Sequence, residues 1–175
     1  MKGLQFKIDG DWAHFKKPET NNNPLSHDLI PKTALIGMIG AVLGIEREKM
    51  KSLFPQLSED LLYGVELLKP VKKASCGFTS HTAINPTAIK SPKAFEMMRD
   101  VSYKVCVGLY GERSQSIFDD FQKAILEGYA VYDPYLGIAN CPAELSFISL
   151  GEFTMMDNGD FKTKGFVIAN EHKLK

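Results

Sequence analysis

The sequence predicts an α+β domain of the ferredoxin-like kind, with its core elements in the order β-α-β-β-α-β. Three observations carry that prediction. Leu4, Phe6 and Ile8 alternate with Gln5, Lys7 and Asp9, the period of a half-buried strand. Val101, Tyr103, Val105, Val107 and Leu109 repeat the alternation far downstream. Two further stretches carry apolar residues at helical spacing: Leu35, Ile36, Ile39, Val42 and Leu43, then Ile117, Phe118, Phe121, Ile125 and Leu126. A chain of 175 residues with 44% apolar content suffices for one domain with a real core.

The elements follow in order. The first strand leads into Gly10-Asp-Trp-Ala-His-Phe-Lys-Lys-Pro18 and a polar loop holding Asn21, Asn22, Asn23, Ser26 and His27. A helix is expected from Pro31 to Gly44, since proline is well placed in a first turn whose N–H groups lack intrahelical partners anyway. Gly37, Gly40 and Gly44 each weaken a helix by about 1 kcal/mol relative to alanine, which predicts close approach by the sheet or another backbone. Glu46–Leu62 reads as a helical connector broken at Pro55 and recapped by Ser58, and Val65–Val71 as a second strand. The third strand, Val101–Tyr110, precedes a second helix at about Ser114–Glu127 with Gly128 as its C-cap. Ser116 and Asp119 have capping-box spacing and offer an alternative start. Ala143–Leu150 is the last core strand. Beyond it, Phe153–Met156 and Phe161–Ile168 flank Asp157-Asn-Gly159, the signature of a type I′ hairpin.

Charge narrows the partners. Twenty-one basic residues balance 21 acidic ones, so a nucleic-acid site must come from local clustering. One long connection provides it. From Lys69 through Phe95 lie Lys69, Lys72, Lys73, Lys90 and Lys93, without a single Asp or Glu. Ser75, Thr79, Ser80, Thr82, Asn85 and Thr87 accompany them, with Phe78 and His81 between. Lysines neutralise phosphates, small polar groups bond sugar and phosphate oxygens, and aromatic rings stack on unpaired bases. A solvated loop with incidental lysines is the plainer account. Connections this long are functional or disordered more often than inert.

Other candidates are spread along the chain. His14, beside Trp12, Lys16 and Lys17, reads as a phosphate or base contact or a general base, or else as a histidine satisfied at a strand end. Trp12 and Phe15 suit a core or subunit interface better than a stacking platform. Ser26 and His27 stand just ahead of the helix. Lys32 and Thr33 open it, where free N–H groups and a partial positive charge favour a phosphate. In Gly108-Leu-Tyr-Gly-Glu-Arg113, Tyr110 and Arg113 border glycines that let a backbone come near, although the spacing is not that of a phosphate loop. Arg113 has a second use, pairing with Asp119 or another carboxylate. Tyr132, Pro134 and Tyr135 read as a rigid turn packing the second helix on the sheet. Lys164-Gly-Phe-Val-Ile168 approaches the RNA-recognition-motif signature, but Val167 breaks it and the segment lies past the core strands.

Several chemistries find no support. Cys76, Cys106 and Cys141 are widely spaced, without a Cys-x-x-Cys pair, which fits reduced thiols and not a disulfide framework or zinc site. Metal-ligand spacings and a serine-hydrolase motif are lacking, so no metal or cofactor is expected. The N-terminus carries no signal pattern, and no apolar run approaches the ~20 residues that span a bilayer. A soluble cytoplasmic protein without a membrane partner is the expectation.

A resemblance adds to this reading. The Gly10-Asp-Trp-Ala-His-Phe15 element, the Ser26-His before Ile30-Pro, and Lys32-Thr-Ala-Leu-Ile-Gly-Met-Ile-Gly-Ala41 resemble one CRISPR-associated family. Tyr132-Asp-Pro-Tyr-Leu-Gly137, followed by Ala143-Glu-Leu, resembles a second element of it in matching order. The family is the fifth Cas family of the RAMP superfamily, whose members cap the 5′ handle of the guide RNA in type I Cascade; the form here is closest to type I-B. The resemblance implies a RAMP fold with a thumb-like insertion at about 74–100 that wedges into the crRNA near its handle. It also implies backbone and large Cascade subunits as partners, with target DNA reached through the complex. On this view the expected RNA contacts are Trp12, His14, Lys16, Lys17, Ser26, His27, Lys32, Thr33, Lys72, Lys73, His81, Lys90, Lys93, Tyr110 and Arg113, with no catalytic residue. The alternative is a metal-independent endoribonuclease like the type I-C subgroup, using a Tyr/His/Lys set drawn from His14, His81, Tyr110 and the lysines. The family usually continues further past the last core strand, where this chain has only Gly151–Lys175.

Overall fold

Alternating apolar residues at both ends of the chain pair into one antiparallel sheet. The computed structural model describes residues 1–81, 90–154, 156, 159, 160 and 162–165. Among them the elements are β1 (Lys2–Ala13), α1 (Lys32–Leu43), α2 (Arg47–Asp60), β2 (Leu61–Leu67), β3 (Lys72–His81), β4 (Lys90–Leu109), α3 (Gln115–Glu127) and β5 (Glu144–Glu152). The core strands run in the order β2-β4-β1-β5, which is the ferredoxin-like arrangement, and β3 pairs with the first half of β4. Leu4, Phe6 and Ile8 on β1 and Tyr103, Val105 and Val107 on β4 are fully buried beneath the helices. Phe6 meets Phe121 of α3 edge to face, with ring centroids 5.6 Å apart.

The long insertion is a β-ribbon. β3 and β4 pair continuously from Lys72 opposite Arg99 to His81 opposite Lys90. β4 therefore serves the ribbon with its first half and the sheet with its second. The sequence expectation began this strand at Val101, because Lys90–Asp100 mixes charge, Pro92 and two methionines without a period. At the junction Asp100 takes φ 52°, the left-handed region that Asp tolerates better than most side chains. Met97 and Met98 are both buried there, and the Tyr103 hydroxyl lies 3.7 Å from the Met98 sulfur.

Four expectations need correction. The second strand is Leu61–Leu67, not Val65–Val71, because α2 runs through to Asp60 and hands directly into it. Pro55 does not break that helix, and Ser58 caps nothing. The carbonyl left without a donor is that of Lys51, an exposed residue where water can replace the bond. The Ser116–Asp119 capping box does not form: α3 begins at Gln115 after a 3₁₀ turn over Glu112–Ser114, and Asp119 pairs with Lys2 at 3.0 Å. The α1 glycines meet neither sheet nor backbone. A Cβ at Gly37 would face open space, one at Gly40 would meet the Met50 side chain of α2, and Gly44 is the left-handed C-cap at φ 67°. The Asp157–Gly159 hairpin lies partly outside the described residues.

The chain after β5 turns across the helix-free face of the sheet. Phe153 lies over the paired glycines Gly3 and Gly108, and Gly165 bridges Glu66 on β2. Among the described residues that face carries the ion pairs Lys7–Asp9 and Lys104–Glu66 and the Phe153 ring.

Candidate nucleic-acid interface

The root of the ribbon is built first, because it decides which cations are free. Glu96 on β4 accepts the Ser26 backbone N–H at 3.1 Å and the Lys73 ammonium at 2.9 Å. Its own backbone N–H donates to the Pro24 carbonyl at 2.9 Å. Lys73 also meets Asp28 at 2.7 Å and the Ser26 carbonyl at 3.3 Å. The Lys73 ammonium holds Glu96 below the usual glutamate range. Burial alone would lower Lys73, but the Asp28 and Glu96 carboxylates keep it above its ordinary value. One lysine thus ties the ribbon to the polar loop of residues 20–28.

His14 and Ser26 complete the knot and are corrected from contacts to supports. His14 is 1% exposed, its Nδ1 stands 2.9 Å from the Glu96 carbonyl, and its ring packs edge-on against Phe95 at 5.2 Å. The carbonyl makes Nδ1 the protonated nitrogen, and no edge of the ring reaches solvent. Ser26 is fully buried, accepting from the Phe15 N–H and donating to the His27 carbonyl, each at 2.9 Å.

Two further expected cations are committed elsewhere. Lys32 is half-buried and donates to the Ser58 carbonyl, and burial pushes its ammonium down. Arg113 pairs with Glu59 at 2.8 Å and with Asp60, whose carboxyl its guanidinium holds low. The Tyr110 and Gly111 N–H groups both donate to the Asp60 carbonyl, so no phosphate loop remains there. Tyr110 is 65% exposed, yet it follows β4 at the end of the ladder opposite to His14. Twelve residues of strand separate those two levels, about 40 Å of rise. His14 and Tyr110 therefore do not converge on one reacting group. Nor do Tyr132 and Tyr135 pack the second helix on the sheet. Both are exposed, and Leu136 is the buried residue of that turn, held by His14 N–H to Leu136 carbonyl at 3.0 Å.

The ribbon's outward half holds what is left. Lys72 opposite Arg99, Cys76 opposite Phe95 and Phe78 opposite Lys93 share one face. Arg99 stands 5.3 Å over the half-buried Trp12 ring, a cation–π contact that steadies both at the root. Phe78 is 38% exposed and is held edge-on by Phe95 at 5.1 Å. A cleft of about 390 Å³ opens beside it, lined by Asn23, Gly77, Phe78, Thr79, Pro92 and Lys93. Among the described residues Lys90, Lys93 and Arg99 have no carboxylate partner, and Lys72 is 4.0 Å from Asp100. The Lys16 ammonium, at the mouth of the polar loop, bonds Asn21 at 3.4 Å. Lys17 is half-buried and His27 and Thr33 are exposed, His27 bordering a second cleft with Asp28, Pro31 and Tyr63. The His81 side chain and the residues Thr82, Asn85 and Thr87 are outside the description. Sequence reading missed Arg99, whose place opposite Lys72 only the strand pairing reveals, and Glu96, which nothing in the sequence marks as an organiser.

A ferredoxin-like domain with a basic, aromatic ribbon is the class these features define. Residues 3–160 match the family model described as CRISPR-associated protein (Cas5), and the chain belongs to that family. No curated protein matches it. Among solved structures it is similar to a CRISPR-associated protein at 14% identity and TM-score 0.50, covering 85% of this chain and 69% of that one. It is also similar to a chain of a CRISPR RNA-guided surveillance complex, at 16% identity and TM-score 0.58, covering 79% and 58%. A third, a Cas protein, gives 15% and 0.51, covering 78% and 57%. The likeness is one of fold, and the chain spans little more than half the length of the latter two.

Proposed function

We propose that the protein is a non-catalytic, cytoplasmic RNA-binding subunit of a type I Cascade effector complex that caps the 5′ handle of the crRNA. The cleft beside Phe78 carries this reading. A splayed base stacks on the fixed Phe78 ring, Asn23 and Thr79 offer hydrogen bonds to its edge, and Lys93, Lys90 and Lys72 neutralise the adjoining phosphates. Trp12 and Arg99 brace the ribbon that presents these groups. Backbone and large subunits are the expected protein partners, and target DNA is met only through them.

Incubating the purified protein with repeat RNA in EDTA tests the reading. Retention without cleavage is expected. Phe78→Ala should weaken retention by about 5- to 150-fold, the worth of one stacked base. Lys93→Ala should lower the salt slope by about one phosphate contact. Cleavage in EDTA would instead mark a metal-independent endoribonuclease, and neither retention nor cleavage would mark a protein-only scaffold.

A further inference from the structure

We propose that the outer edge of β5 is a docking site for one extended strand of another protein, apolar in alternation and basic at both ends. The sheet has two edges, β2 and β5. Gly165 bridges Glu66 on β2, whereas among the described residues nothing pairs with the outer side of β5. The chain leaves that edge at Phe153, whose N–H donates to Met1 and whose ring crosses to Gly3 and Gly108.

An unpaired edge strand is normally blunted by lysine, proline, shortness or a bulge, and of these β5 has only the bulge at Ile148. Glu144-Leu-Ser-Phe-Ile-Ser-Leu-Gly-Glu152 spans nine residues and contains neither lysine nor proline. It exposes Phe147, Ile148 and Leu150 instead, the last at 47%. Ile148 is the extra residue of a bulge, since Phe147 pairs with Phe6 and Ser149 with Gln5. Beside the first half of the strand lies a cavity of about 160 Å³, lined by Ala124, Ile125, Tyr129, Ala143 and Leu145 among others, which suits an apolar side chain from the docked strand.

Charge selects the occupant. Glu144 and Glu152 are exposed at the two ends and, among the described residues, have no cationic partner. Glu144 sits opposite Asp9 and shares a cleft with Asp11, Asp100 and Lys69, whose ammonium is bound by Asp100, and Glu152 sits opposite Lys2, whose ammonium is bound by Asp119. A second copy pairing antiparallel about Ile148 would set Glu144 against Glu152 at each end, like charge on like. A strand with Lys or Arg at its ends meets both carboxylates while its backbone completes the ladder, the mode of β-strand addition.

The probe is a capped nonapeptide, Lys-Thr-Ile-Thr-Val-Thr-Ile-Thr-Lys, titrated into the intact protein with hydrogen exchange read residue by residue. Slowed exchange confined to residues 144–152 is expected. The same peptide with Glu at both ends should bind about tenfold more weakly. A version N-methylated at alternate amides should give no protection, and Ile148→Lys, on an exposed position, should weaken binding at least about fivefold. RNA retention by Ile148→Lys should match the parent protein, which separates this site from the RNA reading. Equal binding of the two peptides, binding of the N-methylated one, absence of protection at millimolar peptide, or a dimer joined through β5 would each overturn the proposal.

Discussion

At the scale of single residues, two glycines show how far a motif's meaning depends on surroundings. Gly137 closes the Tyr-Leu-Gly element at φ 90°, and a Cβ there would collide with the His14 carbonyl oxygen. Gly137→Ala should therefore destabilise the protein by about 2–4 kcal/mol, from left-handed strain and overpacking together, measured by urea unfolding. Gly37→Ala should do the reverse. Its Cβ meets open space on an exposed helix face, so helix propensity alone acts, worth up to about 1 kcal/mol of stabilisation in the same assay. Ser26→Ala leaves the Phe15 N–H unsatisfied in the interior and should cost about 1–3 kcal/mol. These outcomes separate glycines and hydroxyls that hold the ribbon root from those that hold nothing.

At the scale of elements, the ribbon's attachment responds to acid. Glu96 has its carboxyl held below the ordinary glutamate value by Lys73, so its contribution is complete above about pH 4.5 and is lost as pH falls through the depressed folded value. Trp12, the sole tryptophan, stands at that root under Arg99 and reports the loss by fluorescence. The emission should change below pH 4.5, and Glu96→Gln should start from the altered emission and lose the Glu96 part of the acid transition. What could be read from the sequence follows from the same physics. The alternation in β1 and in Val101–Leu109, and the apolar stripe of α3, report burial directly, so the sheet and its helices were legible. The ribbon was not, because cross-strand pairs such as Cys76 with Phe95 hold it and leave no period in either strand alone. Lysine clustering marked its charge but could not show that Lys73 is consumed by Glu96 and Asp28 while Lys93 has no carboxylate partner among the described residues. Those partners lie 23 and 45 residues away in sequence.

At the scale of the whole molecule, the ribbon's cations and the carboxylates of the open edge lie on different strands. Lys72, Arg99 and Lys93 follow the ribbon, whereas Glu144 and Glu152 bracket the far edge of the sheet. If both proposals hold, RNA and a second protein are engaged on separate strands, and RNA retention should be unchanged when Ile148→Lys is compared with the parent in a filter-binding assay. The uninterrupted course of β4, 20 residues from Lys90 to Leu109, has a mechanical consequence. It spans about 65 Å and is hydrogen-bonded along its length to β3, β1 and β2 in turn. Tension applied at the ribbon loads those ladders lengthwise, so many bonds must slip at once where a peeled hairpin would yield one bond at a time. The same strand that presents Phe78's cleft thus doubles as a tether rooted through the middle of the domain.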